Sequence, residues 1–271
     1  MSDPLTIEYR DQLDLDLTEQ ISFFVNEHPN GNPFQHPSIF KVWFETSGYK
    51  PVFLIGRDDN DTIRALLLAV IQQESGLLKK YFSRRCIITG GPLYDPNLEN
   101  SNDIVSQLLR SLEKLVNQNT IYTEIRNFYD CSSKEIIFRK AGFSYIPYMN
   151  YHVSLIKDIT FKRFATTRKQ QIKKSLKKGV KIIDDASEDQ VFQFYLILKN
   201  LYKTRVKKPL PPWSFFREFY HSQIGKYLLL EYQSQIIGGV VCPVFQETIY
   251  EWYKAGLDKI YQGVYPSVFA T

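Results

Sequence analysis

Two segments of the chain, residues 49–71 and 225–245, share one sequence pattern, and this repeat constrains the fold more than any other feature. Each has a lysine at its second position, continues as an apolar strand, crosses a polar turn, and resumes with isoleucine and a strand that contains small residues. Two strands joined by a short polar turn predict a β-hairpin. Each hairpin also follows two predicted helices, and this repeated order predicts a duplicated α/β unit.

The remaining periodicities complete each copy. For the first copy they predict helices at 17–27, 39–46, 102–117 and 134–141, strands at 7–9, 51–56, 62–72, 85–89 and 121–126, and an extended segment at 143–155. For the second they predict a strand at 180–184, helices at 188–202 and 213–222, strands at 227–232, 236–245 and 248–254, and a helix after residue 266. We therefore expect an α/β (α+β) fold of two tandem units, residues 1–156 and 157–271, each with a mixed, mainly antiparallel sheet flanked by helices. The second unit is expected to be incomplete at its C-terminus.

Composition limits the class of protein. The chain has 271 residues, 44% of them hydrophobic, which is enough for a core in one or two domains. Its three cysteines are far apart, which argues for a reducing compartment and against a disulfide framework or a zinc site. The four histidines show no metal-ligand spacing, so no metal is expected. The polar N-terminus predicts no signal peptide, and the longest apolar run, residues 65–71, is too short to span a membrane. These features predict a cytoplasmic protein.

Residues 160–183 form a strongly basic stretch without a single acid. Phe161, Phe164, Ile172 and Leu176 recur at helical spacing and predict one narrow apolar stripe on a basic helix, with residue 160 as N-cap and residue 179 just past its end. Its cations are Lys162, Arg163, Arg168, Lys169, Lys173, Lys174, Lys177, Lys178 and Lys181.

This basic stretch is open to two interpretations. One is an ordinary solvated helix face. The other is a binding surface, because charges of one sign repel one another and form no i,i+4 salt bridges. The net charge of the chain is only +5, so the excess is local, and a polyanionic partner such as a nucleic acid backbone would neutralise it. Arg205, Lys207 and Lys208 would extend that surface.

Several strings resemble the FemABX family of aminoacyl (peptidyl) transferases, which consist of two tandem units of the GNAT acetyltransferase type. The strings are FQHPSIFKVW, GGPLYD, EIRNFYD, RKQQIKKSLKKGVKI, YKTRVKKPLPPWSFF, and GGVV followed by YEWYKAGLDKIY. The resemblance implies transfer of an aminoacyl group from charged tRNA to an amine of a peptidoglycan precursor peptide or another amine acceptor, at a membrane surface or in solution, without a cofactor. It also makes Arg168, Lys169, Lys173, Lys174 and Lys177 the expected tRNA contacts.

The chain departs from the family pattern in three places. The long helical arm of some members has no room between Leu201 and Trp213. The closing strands with an aromatic-lysine motif are missing. The acetyltransferase pyrophosphate loop, Q/R-x-x-G-x-G/A, does not occur either, which weakens a coenzyme A interpretation.

The resemblance also suggests site residues, each with a structural alternative. Asp95 matches a family aspartate considered as a proton acceptor, or it is a turn residue before Pro96. Arg126 matches a family arginine that could bind a phosphate or carboxylate, or it forms an ion pair with Glu124 or Asp130.

Two further positions are candidates on the same basis. Lys41 and Trp43 lie where the family lines its acceptor cleft, although a tryptophan there is often part of the core. Lys254 follows the second hairpin and would stabilise a developing oxyanion or contact a phosphate; an exposed lysine at a strand end often does neither. The pair Gly238–Gly239 indicates a close approach of another backbone or a substrate, or a bulge.

Three functions remain open from the sequence. The favoured one is a FemABX-like aminoacyltransferase. The second is a GNAT-like N-acyltransferase that uses acyl-CoA and acts on a sugar amine or small metabolite. The third is a non-catalytic nucleic-acid-binding module, because a fold alone does not establish an activity.

Overall fold

The computed structural model describes residues 5–74, 82–98, 101–116 and 120–271. The chain divides into two compact units, Met1–Met149 and Asn150–Thr271. The sequence placed this boundary at 156/157, and the observed division falls a few residues earlier, within a segment that has no regular secondary structure.

Unit 1 contains six strands and four α-helices among its described residues. The strands are β1 (Thr6–Arg10), β2 (Tyr49–Arg57), β3 (Ile63–Gln72), β4 (Arg85–Thr89), β5 (Leu93–Tyr94) and β6 (Tyr122–Arg126). The helices are α1 (Leu15–Glu27), α2 (Pro37–Phe44), α3 (Ser101–Val116) and α4 (Glu135–Lys140), with 3-10 turns at Pro33–Gln35 and Ser132–Lys134. The predicted helices and strands of this unit are present, with ends displaced by a few residues, whereas the predicted extended segment at 143–155 forms no strand in the structure.

The sheet of unit 1 has the order β1-β2-β3-β4-β6, and β5 pairs with β3. Its pairs are antiparallel except β4 and β6, which run parallel. Helix α3 covers one face of the sheet, because Ile104, Leu108 and Leu112 recur every fourth residue and are all buried in one cluster with residues of β3 and β4.

Unit 2 contains five strands and five α-helices among its described residues. The strands are β7 (Lys181–Ile183), β8 (Gly225–Tyr232), β9 (Gln235–Phe245), β10 (Thr248–Ile249) and β11 (Tyr253–Gly256). The helices are α5 (Lys157–Arg163), α6 (Thr166–Lys177), α7 (Glu188–Leu201), α8 (Trp213–His221) and α9 (Pro266–Ala270), and a π-helical turn spans Tyr202–Val206.

The two units repeat the same element order. In unit 1 it is β1, α1, α2, β2, β3, β4 and α3; in unit 2 it is β7, α7, α8, β8, β9, β11 and α9. The neighbours within the two sheets correspond as well, since β7 pairs with β8, β8 with β9, and β9 with β11. The predicted duplication of an α/β unit is therefore confirmed. Of the two described units, only unit 1 continues into a parallel strand, β6, and a further helix, α4.

Helices α8 and α9 cover opposite faces of the unit 2 sheet. Tyr227 in β8 faces α8, where its hydroxyl donates to the backbone oxygen of Phe216 at 2.8 Å. Leu230, three residues along the same strand, lies in a different cluster, against which Phe269 of α9 packs. Because successive side chains of a strand point to opposite sides, these two contacts define the two faces of the sheet.

The basic stretch differs from its prediction in two ways. It forms two helices, α5 and α6, because the chain becomes extended at Phe164 (φ −64°, ψ 138°), and residue 160 lies inside α5 and does not cap the basic helix. The predicted apolar stripe is not buried either: Phe161 is 39% exposed and Leu176 is 51% exposed. The buried residue of α6 is Ser175, because this small side chain allows α6 to pack closely against α9.

The C-terminal end of α6 is as predicted. Gly179 has φ +91°, the left-handed conformation that favours glycine. Its N–H donates to the backbone oxygen of Leu176 at 2.9 Å, and the N–H of Val180 donates to that of Ser175 at 3.2 Å. These two bonds form a Schellman motif, which ends the helix and directs the chain into β7.

Candidate functional site

The parallel strands β4 and β6 bring their carboxyl ends together at one edge of unit 1. Thr89 pairs with Arg126, and the next residue, Gly90, donates its N–H to the backbone oxygen of Arg126 at 2.8 Å. Open α/β sheets commonly bind ligands just beyond the carboxyl ends of parallel strands. The loop that follows β4, residues 90–95, is therefore the first candidate site.

Three side-chain amides hold the start of this loop. The Nδ2 of Asn32 donates to the backbone oxygen of Gly90 at 2.8 Å, and the Nε2 of Gln35 donates to that of Thr89 at 2.8 Å. From the other side, the Nδ2 of Asn127 donates to the backbone oxygen of Gly91 at 2.8 Å. Three successive carbonyl groups are thus satisfied by side chains, which fixes the backbone of the loop.

Gln35 also joins the loop to the neighbouring strand. Strand β3 pairs with β4 at residues 69–72 and with β5 at residues 65–66, so its ladder is interrupted between them. The Oε1 of Gln35 accepts from the N–H of Leu68 at 2.7 Å within this interruption. The fully buried Gln35 amide therefore satisfies one backbone group of β3 and one of β4 where the ladder between these strands is interrupted.

Glycine is required at the first position of the loop. Gly90 has φ +73°, and a Cβ built there would lie 2.3 Å from the Oδ1 of Asn32. The sequence did not predict Asn32, Gln35 or Asn127 as site residues. Only Asn32 carried a local signal, as the cap before Pro33, where its Oδ1 accepts from the N–H of Phe34 at 3.1 Å.

Asp95 is the last residue of the loop, and each of its two carboxylate oxygens accepts a hydrogen bond. Its Oδ2 accepts from Nη1 of Arg64 at 3.0 Å, and its Oδ1 accepts from the N–H of Asn97 at 3.0 Å. The same Arg64 donates through Nε to Asp58 at 2.7 Å, and this hydrogen bond lowers the pKa of the Asp58 carboxyl. Asp95 therefore has the turn geometry of its structural alternative, and each of its carboxylate oxygens already accepts one hydrogen bond.

Arg126 lies beside the loop on the exposed end of β6. Its Nε and Nη2 both donate to the carboxylate of Glu124, at 2.8 and 3.0 Å. The ion pair with Glu124, one of the two alternatives, is thus present, and it holds the guanidinium at the carboxyl end of the parallel strands.

A tyrosine and a cysteine that follow β6 near this loop are neutral at pH 7, and so are the other two cysteines of the chain. The hydroxyl of Tyr129 donates to the backbone oxygen of Pro92, and burial raises the pKa of Tyr129 far above its usual value. Burial likewise raises the pKa of Cys131 to about 11, with a contribution from the nearby Asp130 carboxylate. Burial also raises the pKa values of Cys86 and Cys242 to about 12 each. The cysteines are therefore thiols at neutral pH, which makes them poor nucleophiles.

Lys41 and Trp43 lie on different sides of α2. Lys41 is exposed, whereas Trp43 is 7% exposed and stacks on Tyr49 with ring centroids 4.8 Å apart. Two residues along a helix are separated by about 200°, so they do not line one surface. Trp43 is part of the core, which is the structural alternative given for this residue in the sequence analysis.

Lys254 lies in β11 of unit 2 on the face covered by α9. Its Nζ contacts Glu251 at 2.7 Å and donates to the hydroxyl of Thr271 at 2.8 Å. The nearby glycine pair serves close packing within the sheet, since a Cβ at Gly238 would lie 2.8 Å from the backbone oxygen of Ala255. The close approach expected at this pair is therefore that of β11.

The second candidate site is the basic face of α6. Lys169, Lys173 and Lys177 are spaced four residues apart and share one side of the helix, away from the buried Ser175. Among the residues that the structure describes, none of these three lysines forms an ion pair with an acid. We call this surface the lysine stripe.

Local contacts are not confined to cations outside the stripe: the Nζ of Lys169 donates to the backbone oxygen of Lys162 at 2.9 Å. The other two expected cations of α6 have neighbours as well. The guanidinium of Arg168 lies 6.0 Å from the ring centroid of Phe164. A Cβ built on Gly263 would lie 2.9 Å from the Cε of Lys174, so the Lys174 side chain runs along the loop that contains Gly263. The five predicted cations thus share one helix, but Arg168 and Lys174 flank the lysine stripe and do not extend it.

The cations of residues 205–208 belong to another surface. They follow α7, which packs on α8 through Tyr195 and Phe216, with ring centroids 5.2 Å apart. Helix α6 packs instead on α9, where the Oγ of Ser175 accepts from the N–H of Tyr265 at 3.2 Å. Because α8 and α9 lie on opposite faces of the sheet, Arg205, Lys207 and Lys208 do not extend the lysine stripe.

Metal sites and membrane spans are both absent from residues 5–74, 82–98, 101–116 and 120–271. No group of three or more histidine, cysteine or carboxylate side chains in these ranges could hold a metal ion. No helix in the same ranges has the length and hydropathy needed to cross a bilayer.

No family model and no curated protein matches the chain. Among solved structures, FemX matches with a TM-score of 0.62 and 12% sequence identity, over 97% of this chain and 83% of FemX. Two aminoglycoside acetyltransferases cover about half of the chain: AAC(6')-Ih from Acinetobacter baumannii (TM-score 0.38, 14% identity, 56% of this chain and 99% of that chain) and AAC(6')-Iy in complex with CoA (TM-score 0.40, 11% identity, 57% and 99%). TM-scores this low do not establish a shared fold. The FemX match does, and the chain therefore has the fold of FemX along nearly its whole length, as the FemABX resemblance implied.

Proposed function

We propose that this protein is a FemABX-like aminoacyltransferase that moves an aminoacyl group from charged tRNA to an amine of a peptidoglycan precursor peptide. The observation that supports it most is the lysine stripe, within a chain that has the FemX fold. Three cations without acidic partners among the described residues make a surface that attracts a polyanion and is stabilised by binding one.

The size of the lysine stripe suits contact with more than one phosphate. From Lys169 to Lys177 the helix rises about 12 Å at 1.5 Å per residue. Each lysine is a mobile point charge on a flexible stem, which suits a phosphate backbone more than a single rigid ligand. The stripe would therefore bind the donor tRNA, whereas the chemistry takes place elsewhere.

The proposed reaction is direct attack by the acceptor amine on the aminoacyl ester. The C–N bond forms, the ester C–O bond breaks, and the tRNA hydroxyl leaves with a proton. The raised pKa values of the thiols favour direct transfer over an acyl-cysteine intermediate. In this proposal the Asp95 carboxylate accepts the amine proton.

The other candidate residues have positioning or electrostatic tasks in the same proposal. Lys254 would stabilise the negative charge that develops on the carbonyl oxygen, and Arg126 would bind a phosphate or carboxylate of the acceptor. Lys41 is the exposed member of the pair expected at the acceptor cleft and would contact the acceptor directly. Trp43 would affect the cleft only indirectly, by packing in the core.

The first experiment measures tRNA binding and transfer with variants of the lysine stripe. Replacement of Lys169, Lys173 and Lys177 by Gln should raise the KM for aminoacyl-tRNA and leave kcat nearly unchanged. The slope of log K against log salt should decrease by roughly 2–3, because each phosphate that the variant no longer neutralises accounts for about 0.7–0.9. The matched control is the triple variant Arg205→Gln, Lys207→Gln and Lys208→Gln, which removes as many charges from the opposite face of the sheet.

The outcome also separates the alternative functions. Equal effects of the two triple variants, or loss of all tRNA binding to competitor duplex DNA, would contradict a specific tRNA surface. Transfer from acyl-CoA and none from aminoacyl-tRNA would identify the GNAT-like N-acyltransferase. Specific tRNA binding without transfer of any acyl group would identify the non-catalytic nucleic-acid-binding module.

The second experiment tests the residues at the end of β4 and β6. Asp95→Asn should lower kcat by about 10²-fold or more if Asp95 accepts the proton. Asp58→Asn is the matched control, because it removes the other carboxylate bound to Arg64 and leaves Asp95 ionisable. Unchanged turnover in both Asp95→Asn and Arg126→Ala would eliminate this site assignment.

A further inference from the structure

The segment between the two units exposes an unusual number of large apolar side chains. Residues 148–156, which we call the connecting segment, contain one histidine and no other ionisable group except tyrosine. The exposed fractions are 90% for Tyr148, 73% for Met149, 81% for Tyr151, 63% for Val153, 66% for Leu155 and 62% for Ile156. Contiguous apolar exposure of this kind marks an interaction surface in a soluble protein.

The apolar residues of the connecting segment alternate with polar ones. Met149, Tyr151, Val153 and Leu155 occupy every second position, with Asn150, His152 and Ser154 between them. The segment has no helical turn, and it forms no ladder with any strand that the structure describes. All four apolar residues at these alternate positions are 63–81% exposed, and we call them the apolar side of the segment.

Cations lie next to this apolar side. The hydroxyl of Thr160 donates to the backbone oxygen of Ser154, which ties α5 to the connecting segment. The last turn of α5 carries Lys162 and Arg163, both exposed, and neither is ion-paired within the described part of the chain. Phe161 in the same helix is 39% exposed, and the Nζ of Lys169 lies 5.8 Å from its ring centroid.

We propose that the connecting segment and the end of α5 form a peripheral binding surface for an anionic lipid bilayer. Tyrosine and aliphatic side chains would enter the interface, and Lys162 and Arg163 would contact anionic headgroups. Tyrosine favours this position because its ring is apolar and its hydroxyl stays hydrated. The surface borders the lysine stripe, because the Nζ of Lys169 donates to the backbone oxygen of Lys162 at 2.9 Å. Its apolar residues lie outside the stripe, and the proposal does not depend on the proposed transferase activity.

Other occupants fit the chemistry less well. A nucleic acid backbone would neutralise the cations but leave the apolar side of the connecting segment in water. A second copy of this chain would cover the apolar side, but each copy carries a net charge of +5, so the two would repel each other and leave Lys162 and Arg163 without an anionic partner. An anionic bilayer alone among these satisfies both the charge and the apolar residues.

The test is co-sedimentation of the full chain with vesicles of phosphatidylcholine alone or with phosphatidylglycerol added. The protein should bind the phosphatidylglycerol vesicles, and binding should weaken as salt rises because headgroup contacts are screened. The triple variant Tyr151→Ser, Val153→Ser and Leu155→Ser should lower vesicle affinity at least tenfold. Lys162→Gln with Arg163→Gln should lower it several-fold and reduce its salt dependence.

Two controls keep the result specific. Leu176→Ser removes an apolar side chain that is 51% exposed elsewhere in unit 2, and it should bind vesicles as the wild type does. The triple serine variant should keep its thermal unfolding temperature, its tRNA affinity and its transfer to a soluble acceptor peptide. Loss of vesicle binding alone is therefore distinguishable from failure of the proposed transferase function.

Three results would overturn the proposal. The first is equal binding of the wild type to vesicles with and without phosphatidylglycerol. The second is unchanged vesicle binding by the triple serine variant. The third is a wild-type dimer in size-exclusion chromatography that becomes a monomer in the triple serine variant, because the apolar side would then be covered by a second copy.

Discussion

At the scale of single residues, uncharged polar side chains hold the candidate site in place. Asn32, Gln35 and Asn127 satisfy the carbonyl groups at the start of the loop after β4. Loss of the partner of a buried polar group costs about 1–3 kcal/mol, whereas an exposed ion pair contributes about 0–1 kcal/mol. The exposed pair of Arg126 and Glu124 therefore stabilises the fold less than the amides do.

Two half-buried imidazoles have a similar role and make stability depend on pH. The Nδ1 of His36 accepts from the N–H of Ser38 at 3.1 Å and caps α2. The Nε2 of His28 bonds to the backbone oxygen of Tyr94 at 2.8 Å. Burial lowers the pKa of both histidines below the ordinary 6.5, so both are neutral in the folded protein at pH 7.

We expect the free energy of unfolding to fall as the pH is lowered from 7.5 to 5.5. In the unfolded chain each of these histidines takes up a proton near pH 6.5, whereas in the folded chain it does so only at a lower pH. The contribution of the two histidines to the free energy of unfolding is therefore complete above pH 6.5 and is lost as the pH falls toward their pKa values in the folded state. Urea denaturation at several pH values measures the effect. His36→Asn should reduce it, because asparagine also caps a helix but does not titrate.

His152→Asn is the control for that measurement. His152 is exposed in the connecting segment, and its replacement should leave the pH dependence unchanged. If His36→Asn and His152→Asn follow the same pH dependence as the wild type, the half-buried imidazole of His36 is not a source of it.

At the scale of secondary structure elements, α6 shows how tertiary packing selects a helix face. Its apolar residues do not form a buried stripe, and Leu176 stays half exposed. The helix packs instead through Ser175, whose Oγ donates to the backbone oxygen of Gln171 at 3.0 Å and accepts from the N–H of Tyr265 at 3.2 Å. A small residue at the contact permits the close approach of α9.

We expect Ser175→Leu to lower the free energy of unfolding by about 1–3 kcal/mol, because a larger side chain does not fit a fully buried position. Leu176→Ser should change it by less than about 0.5 kcal/mol, because the leucine is half exposed. Chemical denaturation of the two variants beside the wild type tests the pair. A larger loss in Leu176→Ser than in Ser175→Leu would support the stripe predicted from the sequence and contradict the observed packing.

At the scale of the whole molecule, the chain consists of two units with the same element order and one exposed segment between them. Helices cover both faces of the sheet in each unit. In unit 1, α3 packs on one face, and on the other face Phe40 of α2 stacks on Phe53 of β2 with ring centroids 5.3 Å apart. In unit 2, α8 and α9 cover the two faces. The connecting segment has no regular secondary structure and its residues are exposed, so a protease has access to its backbone.

We therefore expect limited digestion with chymotrypsin to cut first after Tyr148 or Tyr151, which are 90% and 81% exposed. Mass spectrometry should detect two resistant fragments that correspond to the two units. Tyr148→Ser with Tyr151→Ser should delay this cleavage. First cuts within β3 or β9 would contradict the exposure of the connecting segment.

The sequence by itself determined the local structure and the duplication. Periodicity is a property of neighbouring residues, so helices such as α3 and hairpins such as β2–β3 were predicted with only small errors at their ends. Gly179 was predicted to end α6 for the same reason, since the left-handed conformation is a local requirement. The FemX fold followed because the order of such elements restricts the topology of a chain.

Only the tertiary structure decided which residues meet. Arg64 binds Asp95, and Gln35 joins Leu68 to Thr89, although no spacing in the sequence links these positions. The burial of Ser175 likewise depends on where α9 lies. The physical reason is that a helix with cations on most sides has no preferred face of its own, and contacts between distant residues depend on the path of the whole chain.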